Sequence, residues 1–313
     1  MEGRMRMVYA PTVRQHPTPH LSRLLKRYLF PEGWGSFLQY VAFLLVLLLA
    51  VISVFPLYYC IITSLKPPEE VATVPPSLVL RRVSLQSYRD FLEGTGVANA
   101  PVSRWFLNST VVTIVNTAGV LLINSLAGYS FARKQFPGKQ VLFALIISTM
   151  LVPGWSTIIA SYALTFKMGL HDTYWVLILP ALASPFAVFL VRQFMLTLPT
   201  ELFQAAIVDG ASEFQLWSRI AIPLCKPVLA VLGLFTIIGS WNDFLWPLLV
   251  LNKSHMYTLP VGVSVIMYQI QGRGPDYGIA MSAAILMSIV PIVAFLLMQK
   301  QMVQGLTIGA LKG

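Results

Sequence analysis

The sequence predicts an all-α polytopic membrane protein with six transmembrane helices. Of its 313 residues, 56% are hydrophobic and 11% are charged, whereas soluble domains carry roughly 25% charged residues. Six apolar stretches are each long enough to cross roughly 30 Å of hydrocarbon. The net charge of +10 favours basic cytoplasmic loops over a nucleic-acid surface, because membrane proteins gain a basic balance from such loops.

The chain begins with a polar segment, residues 1–36, which we interpret as a cytoplasmic N-terminal arm. The apolar segment 37–65 follows; it is too long for a signal-peptide core and lacks a small-residue cleavage site, so it predicts the first transmembrane helix. Pro56 predicts a kink in that helix. The longest hydrophilic stretch, 66–104, is predicted as an extracytoplasmic loop, with a short amphipathic helix over 84–91.

The remaining apolar stretches complete a transmembrane domain over residues 37–300, followed by a cytoplasmic tail, 301–313. They lie at 105–131, 138–163, 172–195, 227–251 and 277–299. Most of the 22 lysine and arginine residues fall on one side of these spans when the N-terminus is inside. Both termini are therefore predicted to be cytoplasmic, and Trp105 and Trp175 are predicted as aromatic anchors at the outer interface.

The loop 198–226 is predicted to be cytoplasmic and to contain two short helices. Pro199 and Thr200 are start signals for the first helix. The negative charge of Glu201 in its first turn is stabilised by the positive end of the helix dipole. Asp209-Gly210 predicts its end, because glycine suits the left-handed residue after a last helical turn.

A second helix is predicted to begin at Ser212, where Gln215 completes a capping box, and to end at Pro223 and Pro227. Its apolar residues share one face at i, i+3 and i+7; they are Phe214, Trp217 and Ala221. Two interpretations stay open: the loop is a docking surface for a partner, or it folds back on its own bundle.

The same loop carries a spacing known from a protein family. Its residues are Gln204-Ala205-Ala206, Gly210, Ile220 and Ile222-Pro223. This spacing resembles the EAA loop of binding-protein-dependent ABC importer permeases, which reads E-A-A, three residues, G, nine residues, I-x-L-P. Gln204 stands where the family usually has Glu, which removes a charge, and Ile222 stands where Leu is common.

The resemblance implies a type I ABC importer permease fold and a set of partners. These are a second permease subunit, a cytoplasmic ABC ATPase dimer and an extracytoplasmic sugar-binding protein, in a bacterial or archaeal cytoplasmic membrane. It also implies that the loop docks on the ATPases and couples their motion to the helices. The implied docking residues are Glu201, Gln204, Ala205, Ala206, Asp209, Gly210, Ala211, Phe214 and Trp217.

The chain itself is expected to be neither an enzyme nor a cofactor-binding protein. It has no GxxxxGK[ST] sequence, no HExxH motif and no nucleophile elbow, and its His and Cys residues have no metal-ligand spacing. ATP and Mg are therefore expected on the partner ATPase. A secondary transporter is the alternative class, but one intramembrane acidic residue argues against proton or sodium coupling. A membrane-embedded enzyme would need clustered acidic or His residues, which the sequence lacks.

Two groups of polar residues within the predicted spans are candidates for a translocation path. Thr113, Thr117 and Asn124 share one face of the second helix, where the alternative is hydrogen bonding between helices. Trp241-Asn242-Asp243 lies in the fifth span and resembles a W-N-D/E-F run of sugar-importing relatives. Asp243 is the only acidic residue well inside a predicted span, so a functional role and a structural carboxylate both stay open.

The chain ends in a glycine-containing tail whose key residues are Gly305, Leu306, Gly309 and Lys312. This tail resembles the G-L-T-x-G-A-x-K-G terminus of the second permease in maltose-type carbohydrate importers. The resemblance implies that the tail reaches into the ATPase dimer, while a frayed terminus is the alternative. It also implies a carbohydrate as the solute, with glycerol phosphate or a polyol as the alternative.

Overall fold

The structure, a computed structural model, describes residues 36–71, 73, 75–93, 101–271 and 276–310. Within these ranges the chain contains helices and no strand, which confirms the all-α prediction. Backbone contacts divide the chain into two units, Met1–Tyr58 and Tyr59–Gly313. The predicted N-terminal arm lies outside the described residues, apart from its last position.

The helices follow the predicted apolar stretches closely. Those before the loop 198–226 are α1 Ser36–Ser64, α2 Pro68–Val71, α3 Gln86–Leu92, α4 Val102–Arg133, α5 Lys139–Ser148, α6 Gly154–Lys167, α7 Trp175–Leu182 and α8 Pro185–Leu196. Those of the loop and beyond are α9 Thr200–Val208, α10 Glu213–Leu224, α11 Lys226–Trp241, α12 Leu245–Val250, α13 Leu259–Gln271 and α14 Tyr277–Ala310. The short helix expected over 84–91 is α3, displaced by one or two residues.

Four described helical segments are long and apolar enough to cross a membrane: α1, α4, the pair α7–α8, and α14. Two further candidates are strongly bent. Helices α5 and α6 meet at 103°, where Pro153-Gly154 interrupts the chain, and α10 and α11 meet at 80°. The described residues therefore support four to six spans, and both the count of six and the cytoplasmic termini stay predictions.

Helix α4 is the central element of the second unit. It packs along α8 and α11 and also contacts α7 and α13. Gly128 allows a close approach to α8, because a Cβ there would lie 2.7 Å from Val191 Cγ1. One apolar cluster at this end of α4 includes Tyr129, Val191 and Trp217, so the core extends from the spans into the loop 198–226.

The segment 252–271 packs on the first turns of α4, which the sequence did not reveal. Trp105 Nε1 donates a hydrogen bond to Ser254 O (2.6 Å), and Asn108 Nδ2 donates to Tyr257 O (2.8 Å). Only glycine fits at position 262, since a Cβ there would lie 2.0 Å from the Trp105 ring. Trp105 is 1% exposed, so its prediction as an interface anchor is wrong; Trp175, at 57%, is exposed.

The predicted fifth span is interrupted. Helix α11 ends at Trp241, and α12 begins at Leu245. Asn242 and Asp243 lie between the two helices, so the expectation of a carboxylate inside a continuous helix is wrong. Short polar side chains compete with backbone hydrogen bonds, and the backbone N–H groups of Phe244 and Trp246 face the Asp243 carboxylate.

Candidate functional site

The first helix of the loop, α9, has the predicted bounds and ending. Gly210 has a φ of +82°. Its N–H donates to Ile207 O (3.0 Å), and the N–H of Ala211 donates to Ala206 O (2.9 Å). These two bonds form a Schellman motif, which fixes the direction in which the chain leaves α9 and enters α10.

The second helix, α10, begins with the predicted capping box. Gln215 N donates to Ser212 Oγ (3.4 Å), and Ser212 N donates to Gln215 Oε1 (2.8 Å). The helix ends at Leu224, between the two prolines that were predicted to end it. Residues Leu216–Ala221 form a wide π-turn, and the bend to α11 follows at Cys225. Pro227 lies in the first turn of α11, where its missing N–H costs no helical hydrogen bond.

The docking residues implied by the resemblance divide into an exposed and a buried group. The exposed ones are Glu201, Gln204, Ala205, Asp209, Gly210 and Phe214. Ala206 and Ala211 are half-buried, and Trp217 is buried in the core cluster that includes Tyr129. Three exposed apolar residues that the sequence did not single out extend this surface; they are Leu202, Ile207 and Val208.

One arginine ties the loop to the end of α4. Arg133 Nη2 donates to Met195 O (2.6 Å) and Leu198 O (2.7 Å), and its Nη1 donates to Thr200 Oγ1 (3.2 Å). The guanidinium also lies 4.3 Å from the centre of the Phe203 ring. With one planar group, Arg133 thus binds the end of α8, the short connection between α8 and α9, and the start of α9.

A second attachment lies at the start of α10. Glu213 pairs with Lys134, the residue after α4, and accepts a hydrogen bond from Tyr129 Oη (3.2 Å). The side chains of Lys134 and Glu213 are 37% and 60% exposed, so this pair contributes little stability. Together Tyr129, Arg133 and Lys134, which we name the loop anchor, connect both helices of the loop to the same end of α4.

The translocation-path candidates fall into separate places. Thr113, Thr117 and Trp241 line an apolar cavity of about 600 Å³ between α4, α11 and α14. Asn124 lies elsewhere and joins helices: its Nδ2 donates to Leu182 O (2.8 Å), and its Oδ1 accepts from Ser184 N (3.1 Å). The shared face of α4 therefore contacts different neighbours along its length.

Asp243 lines a different, more polar cavity of about 340 Å³, together with Asn116, Ser184, Ser240 and Thr258. Asn116 Nδ2 donates to Ser240 Oγ (3.1 Å). Asn116 Oδ1 and Thr258 Oγ1 are buried without a hydrogen-bond partner among the described residues.

The other two members of the Trp241-Asn242-Asp243 run do not share this cavity. Asn242 is exposed, and Trp241 Nε1 donates to Met287 O (2.8 Å) on α14. The structure thus separates the three side chains, and the polar groups that share the cavity with Asp243 come from other parts of the chain, including Asn116 of α4 and Ser240 of α11. Sequence reasoning missed Asn116 and Ser240 because they lie 124 residues apart along the chain.

The C-terminal tail is only partly described. Helix α14 continues through Gly305, Leu306 and Gly309 to Ala310, but the side chains beyond 301 and the whole of Lys312 lie outside the described residues. The role implied for this tail therefore stays a prediction.

Comparison with known proteins fits this architecture. Residues 124–308 match the family described as "Binding-protein-dependent transport system inner membrane component". The chain belongs to this family of ABC importer permeases. The matched residues extend from the middle of α4 into α14 and include both helices of the loop, so the family relation covers the loop and its anchor.

Curated permeases are similar over nearly their whole length. The arabinooligosaccharides transport system permease protein AraQ of Bacillus subtilis (strain 168) is 34% identical over 269 residues, which cover 85% of this permease and 93% of AraQ. The sn-glycerol-3-phosphate transport system permease protein UgpE of Rhizobium meliloti (strain 1021) is 34% identical over 268 residues, covering 85% and 95%.

Solved structures share the fold of this permease. One chain of a bacterial ABC transporter involved in the import of the acidic polysaccharide alginate aligns with a TM-score of 0.74 and 20% identity, covering 85% of this permease and 98% of that chain. A chain of the alginate transporter in complex with alginate pentasaccharide-bound periplasmic protein aligns with a TM-score of 0.55 and 16% identity, covering 89% and 95%.

Proposed function

We propose that this chain is one transmembrane permease subunit of an ATP-driven ABC importer for a carbohydrate. The observation that carries the proposal is the 34% identity to an arabinooligosaccharide permease over 85% of the chain. The alginate importer, which shares the fold, supports the same solute class. An exposed helical loop attached to a central helix supports a subunit that transmits motion.

The proposed partners are a second permease subunit, a cytoplasmic ABC ATPase dimer and an extracytoplasmic solute-binding protein. The alginate transporter was solved with a periplasmic binding protein, which supports the third of these. The chain carries no catalytic residue in this proposal; ATP and Mg bind the ATPase subunits. The complex lies in the plasma membrane, with six spans in this subunit and both termini cytoplasmic.

This orientation has a direct test. Single cysteines introduced at residues 80 and 212 are exposed to a membrane-impermeant thiol reagent in intact cells. The cysteine at 80 should react and the cysteine at 212 should not. Labelling of both from outside contradicts the proposed topology.

The loop 198–226 is the proposed coupling element. Its exposed residues, with Val208 and Phe214 the most exposed large apolar ones at 86% and 67%, form the docking surface for the ATPases. Closure of the ATPases on ATP displaces α9 and α10. The loop anchor passes this displacement to α4, whose middle section lines both cavities, and alternating access follows. The C-terminal tail is proposed as a second contact with the ATPases.

Glycerol phosphate is the second candidate solute, because UgpE is as similar as AraQ. The two solutes are distinguished by uptake in proteoliposomes that contain the complete transporter and its binding protein. We expect ATP-dependent uptake of a labelled oligosaccharide and none of glycerol phosphate. Uptake of glycerol phosphate alone contradicts the carbohydrate assignment, and uptake of either solute without the ATPase contradicts the ABC importer function.

Asp243 is proposed to contribute to translocation from its polar cavity. A carboxylate beside amide and hydroxyl groups accepts hydrogen bonds from a polyhydroxylated solute, and Asp243→Asn removes the charge at nearly constant size. We expect uptake at saturating solute to fall at least about fivefold, since a hydrogen bond to a charged group contributes about 1.5–3 kcal/mol.

A matched variant tests whether the loss belongs to this cavity. Asn242→Asp moves the carboxylate to the neighbouring exposed position and should not rescue Asp243→Asn. Unchanged uptake in Asp243→Asn, with normal amounts of protein, would show that the charge has no role in translocation.

A further inference from the structure

The permease carries a basic pocket where the connection between α4 and α5 meets α8. The pocket has a volume of about 590 Å³ and is lined by residues that include Phe136, Lys139, Phe143 and Arg192. Two lining side chains are cationic, and none of the described lining residues is acidic. A cavity with this charge distribution attracts an anion.

Both cationic side chains are held in position by the protein. Arg192 Nε donates to Phe131 O (3.1 Å), and its guanidinium lies 4.0 Å from the centre of the Phe143 ring. Lys139 Nζ donates to Lys134 O (2.6 Å). These contacts occupy one donor of each group and leave the others for a ligand, since a guanidinium has five N–H donors and an ammonium three.

The backbone adds to the positive potential. Lys139, Gln140 and Val141 form the first turn of α5, and all three residues line the pocket. Gly138, at the N-cap position with a φ of +78°, has no side chain to cap them. The Lys139 amide donates to Phe136 O (3.3 Å), so the backbone contribution comes from the helix dipole, whose positive end favours an anion.

Aromatic residues lie next to these charges. Phe131 contacts Phe136 and Phe143, with ring centroids 5.7 and 5.5 Å apart. The pocket therefore joins a cationic part to an apolar part at the end of the spans α4, α5 and α8. A soluble phosphate would use only the first part, whereas a phospholipid would use both.

We propose that this pocket binds the phosphate group of an anionic phospholipid of the cytoplasmic leaflet. Basic pockets between transmembrane helices on the cytoplasmic side are suited to such headgroups. The bound lipid would also contact the coupling machinery, because Lys139 hydrogen-bonds the backbone of Lys134, which pairs with Glu213 of α10. The proposal uses the topology given above but not the identity of the transported solute.

The test measures lipid binding directly. The full-length chain, purified with the subunits that accompany it, is delipidated and titrated with phosphatidylglycerol, and bound lipid is counted by native mass spectrometry. We expect Lys139→Gln/Arg192→Gln to weaken phosphatidylglycerol binding at least about tenfold, since two charge-assisted contacts are lost. Lys300→Gln, which removes an exposed cation from the C-terminal half of α14, should bind as the wild type does.

Two further binding measurements use the wild-type protein, so their results remain valid even if the double variant misfolds. Phosphatidylcholine should bind more weakly than phosphatidylglycerol, and millimolar inorganic phosphate should not displace the lipid. Equal binding of both lipids overturns the proposal, as does an equal loss in Lys300→Gln or an unchanged affinity in a folded double variant. Displacement by inorganic phosphate would assign the pocket to a soluble anion instead. No solute or ATP is present, so failure here is distinct from failure of the importer function.

Discussion

Replacing Gly210 by valine should leave the permease in the membrane but reduce the stimulation of ATP hydrolysis by solute-loaded binding protein at least about tenfold. The reason is conformational. Gly210 has a φ of +82°, where an ordinary side chain costs about 1–2 kcal/mol and a β-branched one is an outlier. Apart from the two chain neighbours, no residue that the structure describes lies within 4 Å of the Cβ position, so crowding does not add to this strain.

The strain is relieved when the two hydrogen bonds of the Schellman motif break, which are those from the N–H groups of Gly210 and Ala211 to the last turn of α9. The exit direction of the chain then changes, and Phe214 no longer presents the same surface. The spans do not depend on this turn, so the amount of protein in the membrane should stay near normal. ATPase activity and uptake are measured on the purified transporter in liposomes, with and without binding protein and solute.

Gly210→Asn is the matched control, because asparagine tolerates the left-handed conformation better than other residues. It should retain most of the stimulation. Equal loss in both variants would indicate that position 210 contacts the ATPase directly and that the turn itself is not the cause. Normal stimulation in the valine variant would remove the loop from the coupling pathway.

Replacing Arg133 by methionine should detach the loop from α4. Methionine keeps most of the length but removes three hydrogen bonds, two of them to the carbonyls of Met195 and Leu198. Hydrogen bonds from charged groups contribute about 1.5–3 kcal/mol each and are not additive, so we expect a loss of about 3 kcal/mol in local stability. Limited proteolysis should cut within residues 198–226 faster, and coupled ATP hydrolysis should fall.

Two variants separate the anchor from a general effect of charge. Arg133→Lys keeps the charge but not the planar fork, and should lie between wild type and Arg133→Met. Arg219→Met removes an exposed cation from α10 and should change proteolysis little. If Arg219→Met is cleaved as fast as Arg133→Met, or if Arg133→Met is cleaved at the wild-type rate, Arg133 does not anchor the loop.

The features that the sequence predicted correctly are short-range ones. The end of α9 at Gly210 and the capping box of Ser212 and Gln215 depend on residues within a few positions of each other. The four helical segments that are long and apolar enough to cross a membrane follow from length and hydropathy alone. The Arg133 contacts were not predictable in this way, because the guanidinium binds carbonyls more than 60 residues away and nothing in the sequence pairs them.

The apolar face of α10 shows why periodicity was insufficient. A period of 3.6 residues places Phe214 beside Trp217, and their ring centroids do lie 5.4 Å apart, yet Phe214 is 67% exposed and Trp217 is 7% exposed. Trp217 lies in the core cluster that includes Tyr129 and Phe214 does not, a difference that periodicity does not reveal. Asp243 was misplaced for a related reason, since the apolar run 227–251 was treated as one helix although Asn242 and Asp243 interrupt it.

The contact between Gly262 and Trp105 restricts how this chain can vary. A methyl group at 262 would meet the indole ring at 2.0 Å, far inside any real contact distance, and the ring is itself held through its N–H. A larger residue at 262 is therefore compatible with the fold only if a smaller one replaces Trp105. The two positions are 157 apart in number but adjacent in space, so a larger residue at 262 can be accepted only together with, or after, the replacement of Trp105 by a smaller residue.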